Sequence, residues 1–156
     1  MPQTRTVVAF YAVIASMLTF ASCSNSRSAM KNVIYTPNAP APIGPYSQAT
    51  EAGGFVFISG QIAINPANGE MYTGGDIAVE TRQVMENLKA IVEQSGSTMG
   101  NVLKCTIFLR DMNDFAAVNA VYGEYFPEYP PARETVAVVG LPKNARVEIS
   151  AMVRAN

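Results

Sequence analysis

The chain has 156 residues, of which 49% are hydrophobic and 15% are charged, and it contains no histidine. This length fits one domain, the composition excludes intrinsic disorder, and a formal net charge of −1 gives no support to nucleic-acid binding through a basic surface. Without histidine, Ser-His-Asp and Cys-His catalysis and most zinc sites are excluded. We therefore expect any chemistry to use carboxylates, Arg, Tyr, hydroxyls and backbone groups, with no metal and no cofactor.

The first 22 residues have the pattern of a bacterial export signal. A segment carrying Arg5 precedes an apolar run over residues 7–20, which is shorter than the about 20 residues that span a bilayer. Ala21 and Ser22 before Cys23 resemble a lipobox, in which Cys23 is lipidated and becomes the new N-terminus. The alternatives are an ordinary cleaved signal with an incidental cysteine and a retained membrane helix. We expect a periplasmic or membrane-anchored protein.

The mature chain is expected to consist of a polar tether over 23–31 and one folded domain over 32–156. Three strands open this domain: residues 32–35, followed by a proline-rich loop over 37–45, and then residues 46–51 and 55–62. The last two flank Gly53-Gly54, a pair that is typical of a hairpin turn.

Two helices alternate with the remaining strands. Asp76 is a candidate N-cap and Gly96 a candidate stop for the first helix, whose apolar residues recur every three or four positions. The other elements are a strand over 102–110, a second helix over 114–126, and strands over 133–139 and 146–153. This order predicts an α+β fold, a sheet with both helices packed on one face.

Alternation of side chains along the strand over 102–110 predicts which residues lie on each face of the sheet. Leu103 and Cys105 are expected on the same side, toward the helices, together with Ile107 and Leu109. Apolar residues such as Phe108 are expected on the other side, with Val136 and Val138 of the next strand. Because a partly apolar sheet face needs cover, we expect an oligomer that buries sheet faces together.

Two charged residues are the main candidates for chemistry. Arg133 follows the stiff Pro130-Pro131-Ala132 segment, so its guanidinium is held in one place and can grip a carboxylate by two parallel hydrogen bonds. The alternative is a surface Arg paired with Glu134 or another acid. Glu148 lies between apolar neighbours on the last strand; it faces solvent, or, if its face is covered, it orients or deprotonates a water.

Three segments carry weaker signals. Tyr46 follows Gly44-Pro45 at the exit of a turn, which fits either a core Tyr or a residue of a site. Ser59 and Gly60 interrupt an apolar strand, where a bulge, a close approach of a ligand or plain packing all fit. Asn119, inside the second helix, is by default a partly exposed helix residue. The glycine-containing loops match neither a P-loop nor a dinucleotide fingerprint.

Short motifs occur in a defined order along the folded part: GPYS at 44–47, ISGQI at 58–62, FAAVN at 115–119, PAR at 131–133, and LP at 141–142 followed by VEI at 147–149. In this order they resemble the reactive intermediate deaminase family (RidA-like enamine/imine deaminases), over about 33–153. The combination of PAR with the downstream VEI is specific, whereas each tripeptide alone is not.

The resemblance implies a chorismate-mutase-like α+β fold with a mixed six-stranded sheet, and a homotrimer with sites in the clefts between subunits. The carboxylate-binding Arg of the family corresponds to Arg133, its water-positioning Glu to Glu148, and the Tyr that lines its site to Tyr46.

The resemblance also implies supporting positions. Ser59, Gly60 and Asn119 correspond to residues that line or support the pocket. Many members have Cys where this chain has Thr135, whose backbone is still expected to contact the ligand.

The implied reaction is hydrolysis of reactive 2-enamine or 2-imino acids, such as 2-iminopropanoate and 2-iminobutanoate, to 2-oxo acids and ammonia. Two other interpretations stay open from the residues. One is a non-catalytic trimeric protein that binds a small carboxylate, and the other is a surface holdase-like interaction protein that uses its apolar surface.

Overall fold

The computed structural model describes residues 30–72 and 75–156. The predicted signal peptide, the start of the tether and Cys23 lie outside these residues. Within the two described ranges, no helix has the length and apolar character required to cross a bilayer.

One mixed sheet of six strands carries two helices. The strands are β1 (Asn32–Ile34), β2 (Ala49–Ala52), β3 (Phe55–Gln61), β4 (Val102–Leu109), β5 (Ala132–Ala137) and β6 (Val147–Arg154), and the helices are α1 (Ile77–Gln94) and α2 (Phe115–Glu124). The strand order is β1-β2-β3-β6-β4-β5. Among the described strands, only β4 and β5 pair in parallel, and α2 supplies the crossover that a parallel pair needs. The α+β prediction with six strands is confirmed.

Local sequence signals account for the turns and helix ends. Gly53 and Gly54 join β2 to β3 with positive φ of 60° and 82°, as a tight hairpin turn requires. The Asp76 carboxylate accepts a hydrogen bond from the Ala78 N–H at 2.9 Å and caps α1. Gly96, with φ of 78°, follows the end of α1.

The core lies between the helices and one face of the sheet. Residues of α1 and α2 pack in a single cluster with alternate residues of β3, β4 and β6, which include Val56, Ile58, Cys105, Ile107, Leu109, Val147, Ile149 and Val153. Both helices therefore cover the same face, as predicted, and the side chains between these core positions point to the opposite face.

Two details of the prediction are wrong. The strand predicted over 46–51 begins only at Ala49, because Tyr46 and Gln48 belong to the preceding loop. Leu103 is 42% exposed instead of facing the core. The pairing of β4 with β6 shifts between Val102 and Lys104, and this irregularity puts Val102 in the core in place of Leu103.

The face of the sheet away from the helices is partly apolar. Val33 on β1, Phe57 on β3 and Val136 on β5 are 61%, 44% and 45% exposed, and Phe108 and Met152 are half-buried beside them. We call this surface, defined by these five residues, the open face. It extends across the whole sheet and no described element covers it.

Candidate functional site

Glu148 lines a cavity of about 240 Å³ at one end of the sheet. Its walls come from the loop before β2, from the end of β3 and from β6, and include Tyr46, Ser59 and Gly60. Among the described residues, none donates a hydrogen bond to the Glu148 carboxylate, and burial raises its pKa above the ordinary 4.5. A half-buried carboxylate with no cation of the described residues beside it is available to hold a water.

Gly60 explains how the carboxylate reaches this position. The pairing of β3 with β6 is irregular between Ile58 and Gln61, so Gly60 lies in a bulge. A β-carbon added to Gly60 would lie 1.9 Å from Oε1 of Glu148. Only the bare glycine backbone therefore leaves room for the carboxylate, which is the close approach that a glycine inside a strand suggests.

Hydrogen bonds hold the neighbouring wall. The Ser59 hydroxyl donates to the Ser47 carbonyl at 2.7 Å, which joins β3 to the loop before β2. The Tyr46 hydroxyl accepts a hydrogen bond from the Ile43 N–H at 3.2 Å, and the Tyr46 ring is 45% exposed at the cavity. Tyr46 thus lines the cavity of Glu148 and is not a core residue.

Arg133 lies on β5 against α2. Its guanidinium donates to the Asn119 side-chain oxygen at 2.5 Å and lies 5.1 Å from the ring centre of Tyr122 and 5.8 Å from that of Phe115. These aromatic faces attract the cation. The expected alternative, a pair with Glu134, is absent among the described contacts, because Glu134 bonds to Lys104 at 2.9 Å.

A second cavity, of about 430 Å³, adjoins this guanidinium. Its lining includes Asn119, Tyr122, Pro131 and Arg133. Nearby on β5, the hydroxyl of Thr135 is buried without a hydrogen-bond partner among the described residues. A buried polar atom of this kind needs a partner, and a ligand or a neighbouring subunit can supply one.

The two groups of site residues lie on opposite faces of the sheet. Arg133 is in register with core-facing Cys105 and contacts α2, whereas Glu148 pairs with Phe108 of the open face. One chain therefore brings together Tyr46, Ser59, Gly60 and Glu148, and separately Arg133 and Asn119. It does not bring Arg133 to Glu148.

Two features of the site were not predicted from the sequence. Phe115 and Tyr122 form the aromatic surface under Arg133; their spacing of seven residues on one face of α2 was the available signal. Gln48 was not selected at all, although it lines the cavity of Glu148 and is 1% exposed. A glutamine inside a predicted strand carries no distinguishing pattern.

Known proteins resemble the chain over nearly all of the folded part. A RutC family protein of Pyrococcus horikoshii is 57% identical over 123 residues, which are 79% of this chain and 97% of that protein. A protein of Dermatophagoides farinae named 2-iminobutanoate/2-iminopropanoate deaminase is 53% identical over 123 residues, 79% of this chain and 95% of that protein. The crystal structure of E. coli TdcF with bound serine has a TM-score of 0.76 at 40% identity and covers 80% of this chain and 99% of that chain.

The family model described as Endoribonuclease L-PSP matches residues 36–155, which span every strand and helix from β2 to β6. The motifs that resemble the RidA-like deaminases all lie within this range. On this match and on the identity to its relatives, the chain belongs to the endoribonuclease L-PSP family, which includes the RidA-like proteins.

Proposed function

We propose that the protein is a hydrolytic deaminase of reactive 2-enamine and 2-imino acids, such as 2-iminopropanoate and 2-iminobutanoate. The products are the 2-oxo acid and ammonia. The observation that carries the proposal is the position of the Glu148 carboxylate, which lies over Gly60 and lines a cavity. No described residue donates a hydrogen bond to this carboxylate. The relative at 53% identity that is named for this activity supports it.

In the proposed mechanism, Arg133 binds the substrate carboxylate through two charge-assisted hydrogen bonds. Asn119 and the rings of Tyr122 and Phe115 hold the guanidinium ready for this contact. The imine carbon is then fixed against a water held by Glu148, and Tyr46 bounds the pocket.

Glu148 moves the protons. It takes one proton from the water as the oxygen bonds to the imine carbon, and it passes that proton to the nitrogen. When the carbon–nitrogen bond breaks, the proton of the new hydroxyl follows by the same route, and the carbonyl forms as ammonia leaves. General base catalysis supplies about 10²–10⁴-fold, and positioning adds to it. The raised pKa of Glu148 brings it closer to that of an effective base.

The proposed site needs two copies of the chain, because Arg133 and Glu148 lie on opposite faces of one sheet. A homotrimer that buries the open face would bring the Arg133 cavity of one subunit to the Glu148 cavity of the next. The exposed Val33, Phe57 and Val136 side chains supply apolar surface for such contacts. The buried hydroxyl of Thr135 would then find a partner at the same junction.

A protein that only binds small carboxylates is less well supported. Such a protein needs Arg133 but gains nothing from an anion beside the ligand, and burial of Glu148 costs folding free energy at neutral pH. RNA cleavage, which the description of the family model mentions, is not favoured either, since the net charge is −1 and the chain has no histidine.

Complementation between two inactive variants tests both the reaction and the shared site. 2-Iminobutanoate is generated by a threonine dehydratase and trapped with semicarbazide, with and without the full-chain protein. The wild type is expected to accelerate loss of the imine, and Arg133→Ala and Glu148→Gln are each expected to be inactive. In co-expressed mixtures of the two variants, about a quarter of the sites between subunits are intact.

Recovery of about a quarter of the wild-type rate supports a site built from two subunits. A mixture that stays inactive contradicts the shared site, because both residues would then act within one chain. A wild-type protein that does not accelerate imine loss contradicts the deaminase proposal itself.

We also propose that the protein is exported and that Cys23 carries a lipid. The support is the apolar run over 7–20 with small residues before Cys23. Fractionation of a bacterial host that expresses either the wild type or Cys23→Ser tests this proposal. The wild type is expected in the membrane fraction, and Cys23→Ser is expected to carry no lipid. A wild type found only in the cytosol contradicts it.

A further inference from the structure

Gln48 is a buried polar residue that has no part in the proposed chemistry. It is 1% exposed and lines the cavity of Glu148. Its amide nitrogen lies within hydrogen-bond distance of three backbone carbonyls, those of Thr36 (3.0 Å), Ala39 (3.1 Å) and Pro40 (2.8 Å). Its amide oxygen accepts from the Thr36 N–H at 2.7 Å. One side chain thus binds both ends of the segment 36–40.

These contacts stabilise a loop that has no strand partner. The chain leaves the sheet at Ile34 and re-enters it at Ala49. Over residues 35–47, the one backbone–backbone hydrogen bond that the structure describes joins the Tyr46 N–H to the Gly44 carbonyl at 2.9 Å. Since buried backbone groups need partners, the Gln48 amide takes the role that a neighbouring strand has elsewhere.

The main chain of Gln48 also joins the loop to the strand that carries Gly60. Its carbonyl accepts a hydrogen bond from the Ser59 N–H at 3.0 Å. The loop contributes Pro40, Ile43 and Tyr46 to the cavity. A change at Gln48 therefore reaches both the wall that bears Tyr46 and the bulge beneath Glu148.

We propose that Gln48 is a positioning residue for imine hydrolysis, which sets the place of Tyr46 and the loop wall relative to the Glu148 carboxylate. This inference rests on the proposed function for its catalytic consequence. The chemistry demands an amide, because a carboxylate of the same shape offers no donor to three carbonyl oxygens and is repelled by them.

Gln48→Glu keeps the shape and makes the defect depend on pH. The matched control is Gln94→Glu, which introduces the same charge at the exposed end of α1. The titratable groups that line the same cavity are Glu148 and Tyr46, and both are common to the variants and the wild type. The ratio of kcat/KM between each variant and the wild type is therefore measured at each pH.

At about pH 9 we expect Gln48→Glu to lose about 10²-fold in kcat/KM, the cost of misplacing a group by about 1 Å. Toward about pH 5 the introduced carboxyl becomes protonated and regains a donor, so the ratio is expected to rise at least about tenfold. Gln94→Glu is expected to stay near the wild type throughout. A ratio for Gln48→Glu that is close to one, or that does not change with pH, overturns the proposal.

A second measurement separates this proposal from the deaminase assignment. Amide hydrogen exchange over residues 36–46 is expected to be faster in Gln48→Glu than in the wild type at high pH, with the difference shrinking at low pH. If the wild type lacks deaminase activity, the proposed function fails, but the exchange measurement still tests whether Gln48 holds the loop. Equal amide exchange in Gln48→Glu and the wild type overturns the role of Gln48.

Gln48→Asn covers the case in which Gln48→Glu does not fold. This variant keeps a neutral amide but withdraws it by one carbon–carbon bond, so we expect reduced kcat/KM with the same pH dependence as the wild type. Full activity of Gln48→Asn overturns the proposal.

Discussion

Gly60→Ala is expected to displace the Glu148 carboxylate while it leaves the fold intact. The added β-carbon would lie 1.9 Å from Oε1, and ordinary contact begins at 3.4 Å, so the carboxylate has to retreat by about 1.5 Å. Gly60 is not one of the described glycines with positive φ, so alanine introduces no backbone strain there. The added β-carbon would also lie 2.7 Å from Cδ and 2.9 Å from Cγ of Glu148, so the whole side chain has to change rotamer, and we expect the free energy of unfolding to fall by about 1 kcal/mol.

The effect on catalysis is expected to be much larger. A misplacement of about 1 Å costs about 10²-fold, so kcat/KM for 2-iminobutanoate is expected to fall at least about 100-fold, or about 2.7 kcal/mol of transition-state stabilisation. The measurement is the semicarbazide-trapping assay together with thermal unfolding. Gly100→Ala is the matched control, because its β-carbon would meet only the Thr98 hydroxyl, at 3.8 Å.

Wild-type kcat/KM in Gly60→Ala would refute the argument that the backbone of Gly60 determines where Glu148 acts. Equal losses in Gly60→Ala and Gly100→Ala would refute it as well, since the effect would then follow from any added methyl group.

Four further predictions concern Arg133, Glu148 and the open face. Arg133→Lys keeps the charge but loses the paired hydrogen bonds, so kcat/KM is expected to fall about 10–100-fold with an unchanged Tm; wild-type kinetics would exclude a two-point carboxylate contact. The raised pKa of Glu148 means that its ionised form costs folding free energy at neutral pH and that this cost vanishes below its ordinary pKa of 4.5. Glu148→Gln is therefore expected to raise Tm at pH 7, with no difference below about pH 4, and a lower Tm at pH 7 would contradict the role of burial. In the wild type, kcat/KM is expected to fall as the pH decreases through the raised pKa, and a flat acid limb would exclude Glu148 as the base. Phe57→Asp places a charge on the open face and is expected to convert the proposed trimer to monomers and abolish activity, as measured by light scattering and by the trapping assay; an active monomer would contradict a site between subunits.

Local patterns in the sequence predicted most of the secondary structure. Period-two alternation in β6, the cap at Asp76 and the Gly53-Gly54 turn all depend on neighbours along the chain, and the structure agrees with them. The prediction was wrong at Leu103 and at the start of β2 because a bulge and a side-chain-stabilised loop depend on distant partners. Contacts with distant partners produce no periodic pattern in the sequence.

The candidate site divides in the same way. Motifs in family order selected Arg133, Glu148, Tyr46, Ser59 and Gly60 by residue type, since a guanidinium, a carboxylate and a bare backbone each have distinct chemistry. Whether Glu148 is buried, and how closely it approaches Gly60, followed only from the pairing of β3 with β6.

The order of residues alone predicted an α+β domain and selected a carboxylate and a guanidinium as candidate site groups, because helix and strand periods and side-chain chemistry are local properties. Only the folded sheet decided that these two groups lie on opposite faces and that Gln48 holds the loop beside one of them. The physical reason is that side-chain direction alternates along a strand, while the register between strands, set by bulges and by contacts far apart in the chain, determines which directions meet.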